Sequence, residues 1–470
     1  MMIAFKRLAA LLVFAIAASW SVAPSYAQPD IGNPQLSQSG TGAMLGISRD
    51  KPQEFVSVMV YGAKGDGVTA DAPAIQKALD ATLNVYFPAG TYSVSGSLTL
   101  RQGHKLVGAG MMSVTLRQDS KVTPSAGILY ANSGKANSKL TGISVSDITL
   151  DGRVAVAGFD EHQHLASFNG VDGLTIERVR FLGYRGDGLY LGSGINGGEE
   201  RHNTNIIIRE SLFDGVNKDN RNGISIIDGD GVSIEKNVFV NSTRKDMPGP
   251  IDVEPDAHIF HVVRNISIAG NSFSNTGGTA GNICFYLISA TFSTPPKNFS
   301  VLNNKLSDST SNGIFVAINS TVYSDPMNLQ IIGNTGVTNR AFHMRGNVNG
   351  FSIIGNDFKN KLPSLLGEKD SDNARNGVVS RNNLTGNGSS SAIQTMSGSN
   401  LTFSNNAFSG YANSALQMGS ANSTLNNVAV IGNSFTAITG TGYSVYNAGG
   451  VDSASAVYQG NTGGQTHHFP

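Results

Sequence analysis

Short runs of alternating apolar and polar residues recur along most of this chain, and most are closed by an asparagine. The closing triplets are Asn237-Val238-Phe239, Asn271-Ser272-Phe273, Asn304-Lys305-Leu306, Asn334-Thr335-Gly336, Asn356-Asp357-Phe358, Asn382-Asn383-Leu384, Asn406-Ala407-Phe408 and Asn433-Ser434-Phe435. Earlier units end at Leu150, Phe181 and Phe213. Alternation of this kind predicts half-buried strands. The triplets follow one another at roughly 22 to 34 residues, the length of one solenoid coil. One coil has no means of burying its own apolar face, whereas coils stacked about 4.8 Å apart share a continuous interior. The recurrent Phe is therefore expected in an inward column. The Asn beside it is expected in a left-handed turn, bonded to the next coil. A Gly/Asn-rich disordered tract is the bland alternative; the regular Ile/Val/Leu before each Asn speaks against it.

A second strand in each coil aligns as Gly188-Leu189-Tyr190-Leu191, Gly223-Ile224-Ser225-Ile226, Pro250-Ile251-Asp252-Val253-Glu254, Asn282-Ile283-Cys284-Phe285-Tyr286, Gly313-Ile314-Phe315-Val316, Ala341-Phe342-His343-Met344-Arg345 and Ala415-Leu416-Gln417-Met418. Strand side chains alternate between faces. Leu189, Ile224, Ile251, Ile283, Ile314 and Phe342 are thus expected inside, as are Leu191, Ile226, Val253, Phe285, Val316 and Met344. The column between them points outward and reads Tyr190, Ser225, Asp252, Cys284, Phe315, His343. Its outward neighbour reads Ile227, Glu254, Tyr286, Ala317, Arg345.

Order is expected from Phe55. Asp71 is placed to cap a helix over Ala72–Leu79, with Pro73 in its first turn and Ile75 and Leu79 on one face. The stretch from Tyr61-Gly62-Ala63-Lys64-Gly65-Asp66-Gly67 through this helix to Val85-Tyr86-Phe87-Pro88-Ala89-Gly90-Thr91-Tyr92 resembles the N-terminal motif of rhamnogalacturonase-like enzymes, some epimerases and phage tailspikes, all of the pectin-lyase-like superfamily. It spans about a tenth of the chain, and its glycines read as turns, since no Gly-Lys-Ser/Thr of a phosphate loop follows. The resemblance implies an all-β, single-stranded right-handed parallel β-helix. The repeat spacing gives about 10–12 coils, with a short N-terminal capping helix. It transfers no catalytic set. The polygalacturonase Asn-Thr-Asp, Asp-Asp, Gly-His-Gly and Arg-Ile-Lys elements do not occur, and Asp160-Glu161-His162-Gln163 lacks the proline of the epimerase Asp-Pro-His motif.

Composition refines this picture. Lys+Arg 33 balance Asp+Glu 33, which removes the electrostatic case for nucleic acid or a membrane surface. Lys6 and Arg7, the apolar run Leu8–Ala18 and Ser25-Tyr26-Ala27 read as a secretory leader over 1–27. The run is short for a membrane span, and no later stretch approaches one. Residues 28–54 read as a linker or loose arm, and 55–470 as the solenoid. A secreted or periplasmic location is expected. The lone Cys284 rules out an internal disulfide, so the core alone must hold the fold. Oligomeric state has no signature in the sequence.

Asp252 and Glu254 share one face of one strand, with Cα atoms about 6.5 Å apart. They interrupt a column of mostly small or apolar groups, midway along the solenoid. Two carboxylates at this spacing suit general acid and base work on a glycosidic bond, at the low edge of the inverting window of roughly 6.5–9.5 Å. A solvated strand face with two idle acids is the alternative. Asp228 is a candidate third carboxylate. Asp228, Asp230 and Asp256 could hold Ca²⁺ through oxygen ligands, although Asp-Gly-Asp-Gly at 228–231 is also a turn sequence. No other cofactor or metal set is read. Asp187 and Tyr190 about two coils before the pair, His164 one coil earlier, Tyr286 one coil beyond, and His343 and Arg345 about three coils beyond are candidate sugar-subsite residues. Aromatic rings suit sugar faces and Arg suits carboxylates.

The expected function is thus a secreted polysaccharide-degrading enzyme, a glycoside hydrolase with Asp252 and Glu254 as acid/base pair. One alternative is a lyase or C5-epimerase on a uronic-acid glycan, which needs a base at C5 and a cation on the carboxylate. Tyr190 or Tyr286, His343 and Arg345 would then carry the chemistry. Another is a glycan-binding or adhesion solenoid without catalysis.

Overall fold

A computed structural model of the chain describes Pro52 and residues 54–464, apart from 122–125, 135–139, 197–198, 257, 289–291, 308–312, 322–324 and 440–442. The leader over 1–27 and the arm over 28–54 fall outside the described residues, except Pro52 and Glu54.

Each coil contributes short strands that pair in parallel with the same strands of the coils above and below. One column runs through Thr204–Arg209, Gly229–Glu235, Val263–Ala269 and Lys297–Leu302, in the register Ile206↔Val232↔Ile266↔Phe299. A second runs through Leu212–Asp214, Val238–Val240 and Ser272–Ser274. The third carries the candidate site and runs through Leu189–Gly192, Ile224–Ile226, Ile251–Val253 and Ile283–Leu287. Among the described residues this third column stacks thirteen strands from Leu98–Thr99 to Val445–Asn447, slightly more than the repeat spacing predicts. The excess lies at the start, where the coils carry no Asn-x-Phe anchor. The result is the all-β parallel helix expected, and its inward positions form one continuous apolar core.

Two stacks hold the coils together. Phe181, Phe213, Phe239 and Phe273 are buried face to face, with ring centroids 4.5, 4.8 and 4.9 Å apart. Phe358, Phe408 and Phe435 are buried likewise. Beside them runs a ladder of buried asparagines. Asn356, for example, donates from Nδ2 to Asn382 Oδ1 and Ile331 O, while its Oδ1 accepts from the backbone and side-chain nitrogens of Asn334. The bond to the next coil is as expected, but the left-handed residue is the one before the ladder Asn. It is Lys236, Gly270, Asn303, Gly333, Gly355, Arg381, Asn405 or Gly432, with φ between 53° and 69°. The ladder Asn needs an extended backbone to reach along the solenoid axis, so the turn is made one residue earlier.

Two further expectations are corrected. Phe315 is not outward. The strand Ile314–Ser320 is shifted by two residues, pairing Ile283↔Val316 and Cys284↔Ala317. Phe315 turns inside, between Phe273 and Phe358. The aromatic column is depleted there, because the anchors are Leu306 and Gly336, and Phe315 fills the gap. Asp71 precedes the helix Ala72–Ala81 but makes no side-chain cap bond. Its carboxylate instead accepts from the backbone of Lys64 and Gly65, closing the glycine-rich turn of the N-terminal motif.

Candidate active site

The strand Ile251–Val253 is buried on both faces. Glycines recur before these strands because the coils touch there. A Cβ at Gly223 would lie 2.8 Å from Pro250 O, and one at Gly188 would lie 2.7 Å from Gly223 O. The outward column is Tyr190↔Ser225↔Asp252↔Cys284↔Ala317↔His343. His343 and Arg345 therefore stand three coils beyond the pair, and Tyr190 two before it.

Asp252 is only 1% exposed. Its Oδ2 accepts from Asn222 Nδ2 at 3.0 Å, and its Oδ1 has no hydrogen-bond partner among the described residues. Burial, and after it the Glu254 carboxylate alongside, push the Asp252 carboxyl well above the ordinary range. The Glu254 carboxylate is the nearest like charge acting on it. Such a pair holds one proton between two oxygens. Glu254 is the partly exposed member.

Behind the pair lies a buried polar chain. Asn222 Nδ2 also donates to Ser225 Oγ, which accepts in turn from Arg221 Nη1. Arg221 Nη1 reaches both oxygens of Asp187, at 2.9 and 3.0 Å. The Asp187 backbone N–H donates to His164 Nδ1, and the His164 ring stacks on Tyr190 at 4.7 Å. Burial lowers the His164 pKa and keeps it neutral. Asp187 has no exposed surface and His164 almost none, so the structure places both beneath Tyr190, not on the outer face. Arg221 and Asn222 were not singled out as site residues above. Their signal is the polar run Asn220-Arg221-Asn222 directly before a site strand.

Asp228 is not brought to the pair. Its oxygens accept from His202 Nδ1, Asn203 N and Val262 N, so it ties a turn. Asp230 pairs with Arg264 and Asn265. Cys284 keeps its outward register beside Asp252, yet it is 3% exposed. Burial and the two carboxylates push its thiol pKa well up, so the reactive thiol that an outward position implies is corrected to a covered, protonated one.

Two hollows flank the pair's coil. One, of about 470 Å³, is lined by Asn169, Tyr190, Ser193, Asp256, His258 and His261 among others. The other, of about 300 Å³, is lined by Cys284, Tyr286, Arg340, His343, Arg345 and Glu368 among others. Burial, then the neighbouring Arg345, lower the His343 pKa to about 4, leaving a neutral imidazole. Arg345 Nε lies 2.6 Å from Glu368 Oε2 and 3.2 Å from His343 Nε2.

Residues 55–246 match the family model for rhamnogalacturonase A/epimerase, pectate lyase-like proteins. This stretch is thus similar to pectate lyase-like domains. A preneck appendage protein of Bacillus phage PZA is 37% identical over 107 residues, 22% of this chain and 12% of its own length. Mannuronan C5-epimerase AlgE2 of Azotobacter vinelandii is 30% identical over 251 residues, 48% of this chain and 22% of its own length. The aligned stretches thus span about an eighth to a fifth of these curated relatives. The pre-mature gene product 12 of bacteriophage phi29 superposes with a TM-score of 0.59 at 17% identity, covering 86% of this chain and 56% of that chain. At that identity the likeness shows the parallel β-helix fold alone. No helix among the described residues is long and apolar enough to cross a membrane.

Proposed function

We propose that the pectate lyase-like solenoid is a secreted glycan-cleaving hydrolase whose chemistry is carried by Asp252 and Glu254. The observation that carries the reading is a buried carboxyl, its pKa pushed up by burial and by a second, partly exposed carboxyl beside it, midway between two surface hollows. Glu254 meets the glycosidic oxygen and Asp252 supplies the shared proton through it. That proton goes to the leaving oxygen as the C–O bond breaks. The pair then takes up the proton that water releases on adding to the anomeric carbon. Asn222, Ser225 and Arg221 position Asp252. A carbohydrate-modifying relative such as the mannuronan epimerase supports a glycan substrate.

A second reading has its own observation. The neutral His343, with Tyr286, Arg340 and Arg345 in one hollow, offers a base and cations for proton abstraction beside a uronate carboxylate. The product separates the two. A polysaccharide panel should release reducing ends without ultraviolet absorbance under the hydrolase reading, and an unsaturated sugar under the lyase reading. On a glycan that the wild type degrades, Asp252→Asn and Glu254→Gln should each lower kcat by about 100- to 10,000-fold with KM nearly unchanged. Full activity in either variant rejects the pair.

A further inference from the structure

We propose that Glu200, His258 and His261 form a three-ligand site for a zinc-class divalent cation on the wall of the hollow beside Tyr190. The three come from two loops that leave the solenoid two coils apart. Glu200 lies on a protruding antiparallel hairpin, Gly194–Asn196 with Glu199–Arg201, that follows the strand Leu189–Gly192. His258 and His261 lie on the loop between Ile251–Val253 and Val263–Ala269, one turn apart, with His261 N donating to His258 O.

The geometry is that of ligands waiting on an ion. One ligand atom from each of the three residues lies within 4.8 Å of the others. Glu200 Oε2 is 3.6 Å from His258 Nδ1, and Glu200 Oε1 is 3.5 Å from His261 Nε2. Both gaps are too long for a charge-assisted hydrogen bond, which closes to about 2.7–2.9 Å. Each carboxylate oxygen faces one imidazole at close to the spacing of two ligands on one zinc, about 3.4 Å for bonds of about 2.0–2.1 Å, so a modest turn of the carboxylate brings one oxygen and both nitrogens onto the ion. The Glu200 side chain is only 6% exposed, yet Oε1 has no hydrogen-bond partner among the described residues. His258 Nδ1, which faces Glu200 Oε2, likewise has none among the described residues. A buried carboxylate oxygen left unbonded is costly, and a cation removes that cost. The Ser193 hydroxyl hydrogen-bonds His261 Nε2 at 3.1 Å.

The donor set selects the ion. Two imidazoles and one carboxylate suit zinc and its neighbours, whereas Ca²⁺ and Mg²⁺ take oxygen ligands. Three protein ligands leave one coordination position open. Because His258 and His261 line the hollow with Tyr190 and Asp256, that position is available to a sugar hydroxyl or carboxylate. The ion would also clip the hairpin to the loop that follows Glu254.

Calorimetric titration of the chelator-treated full chain with Zn²⁺ tests this. One equivalent should bind and raise the unfolding temperature. Glu200→Gln and His261→Ala should each weaken binding by more than about 100-fold, beyond the loss of an outer-sphere partner, while retaining the wild-type circular dichroism. His467→Ala/His468→Ala, which removes the histidine pair near the C-terminus, should bind as the wild type does. No uptake of Zn²⁺, unweakened uptake in Glu200→Gln and His261→Ala, or uptake lost only in the His467/His468 variant overturns the site.

Discussion

Asp252 sits where its charge is penalised, and that penalty is measurable apart from any activity. Its folded pKa lies above the ordinary 3.8 because of burial and Glu254. A carboxyl raised in this way stabilises the fold fully below its unfolded pKa, and the contribution is lost as pH rises through the folded value. Asp252→Asn removes the titration. The unfolding temperature of the variant minus that of the wild type should therefore grow between pH 4 and pH 8, and a flat difference in parallel calorimetric scans would show that Asp252 is not raised. The pair was legible from strand parity alone, since residues two apart on a strand share a face. The fate of Asp228 was not, because three donors from separate turns decide it. The cover over Cys284 was equally invisible, for parity assigns a direction and says nothing of what lies above it.

Strands and their anchors carry the stability. Phe273 stacks on Phe239 at 4.9 Å and meets Phe315 edge-on, so Phe273→Ala should cost about 3–5 kcal/mol in denaturant unfolding. The asparagine ladder fails differently. Asn356→Ala leaves the buried backbone N–H of Asn334 unbonded, a loss of about 1–3 kcal/mol. Asn356→Asp keeps the acceptor but has no donor for Asn382 Oδ1 and Ile331 O, and it buries a charge. At pH 7 it should therefore unfold at lower denaturant than the alanine variant; the reverse order would remove the side-chain amide from the account of coil stacking. The recurring Asn-x-Phe made these columns readable in advance. Where the motif thins to Leu306 and Gly336, the reading slipped by two residues at Ile314–Ser320. A slip of two keeps the parity of the paired residues from Val316 onward, so periodicity did not reveal it, and only Ile314 and Phe315, at the start of the strand, change sides.

Across the whole molecule, coils spaced by the strand separation turn sequence repeats into a ruler along a polymer. Five coil steps lead from Tyr190 to His343, about 24 Å at about 4.8 Å each. The repeat made this ruler legible. It could not reveal that Glu200, on a hairpin outside the repeat, meets His258 and His261, because loops between coils obey no period. Arg345 lies three steps from Asp252, about 14 Å away, and its side chain is half exposed beside Glu368. If Asp252 and Glu254 carry the chemistry, Arg345 touches only the far part of a long substrate. Arg345→Ala should then raise KM several-fold for long oligosaccharides, leave short ones unaffected and change kcat little for either. If the hollow around His343 carries the chemistry, the same substitution removes charge stabilisation made in the transition state, and kcat falls by about 100-fold or more at every chain length. Steady-state kinetics on a size-graded oligosaccharide series therefore places the reacting bond on one coil or the other.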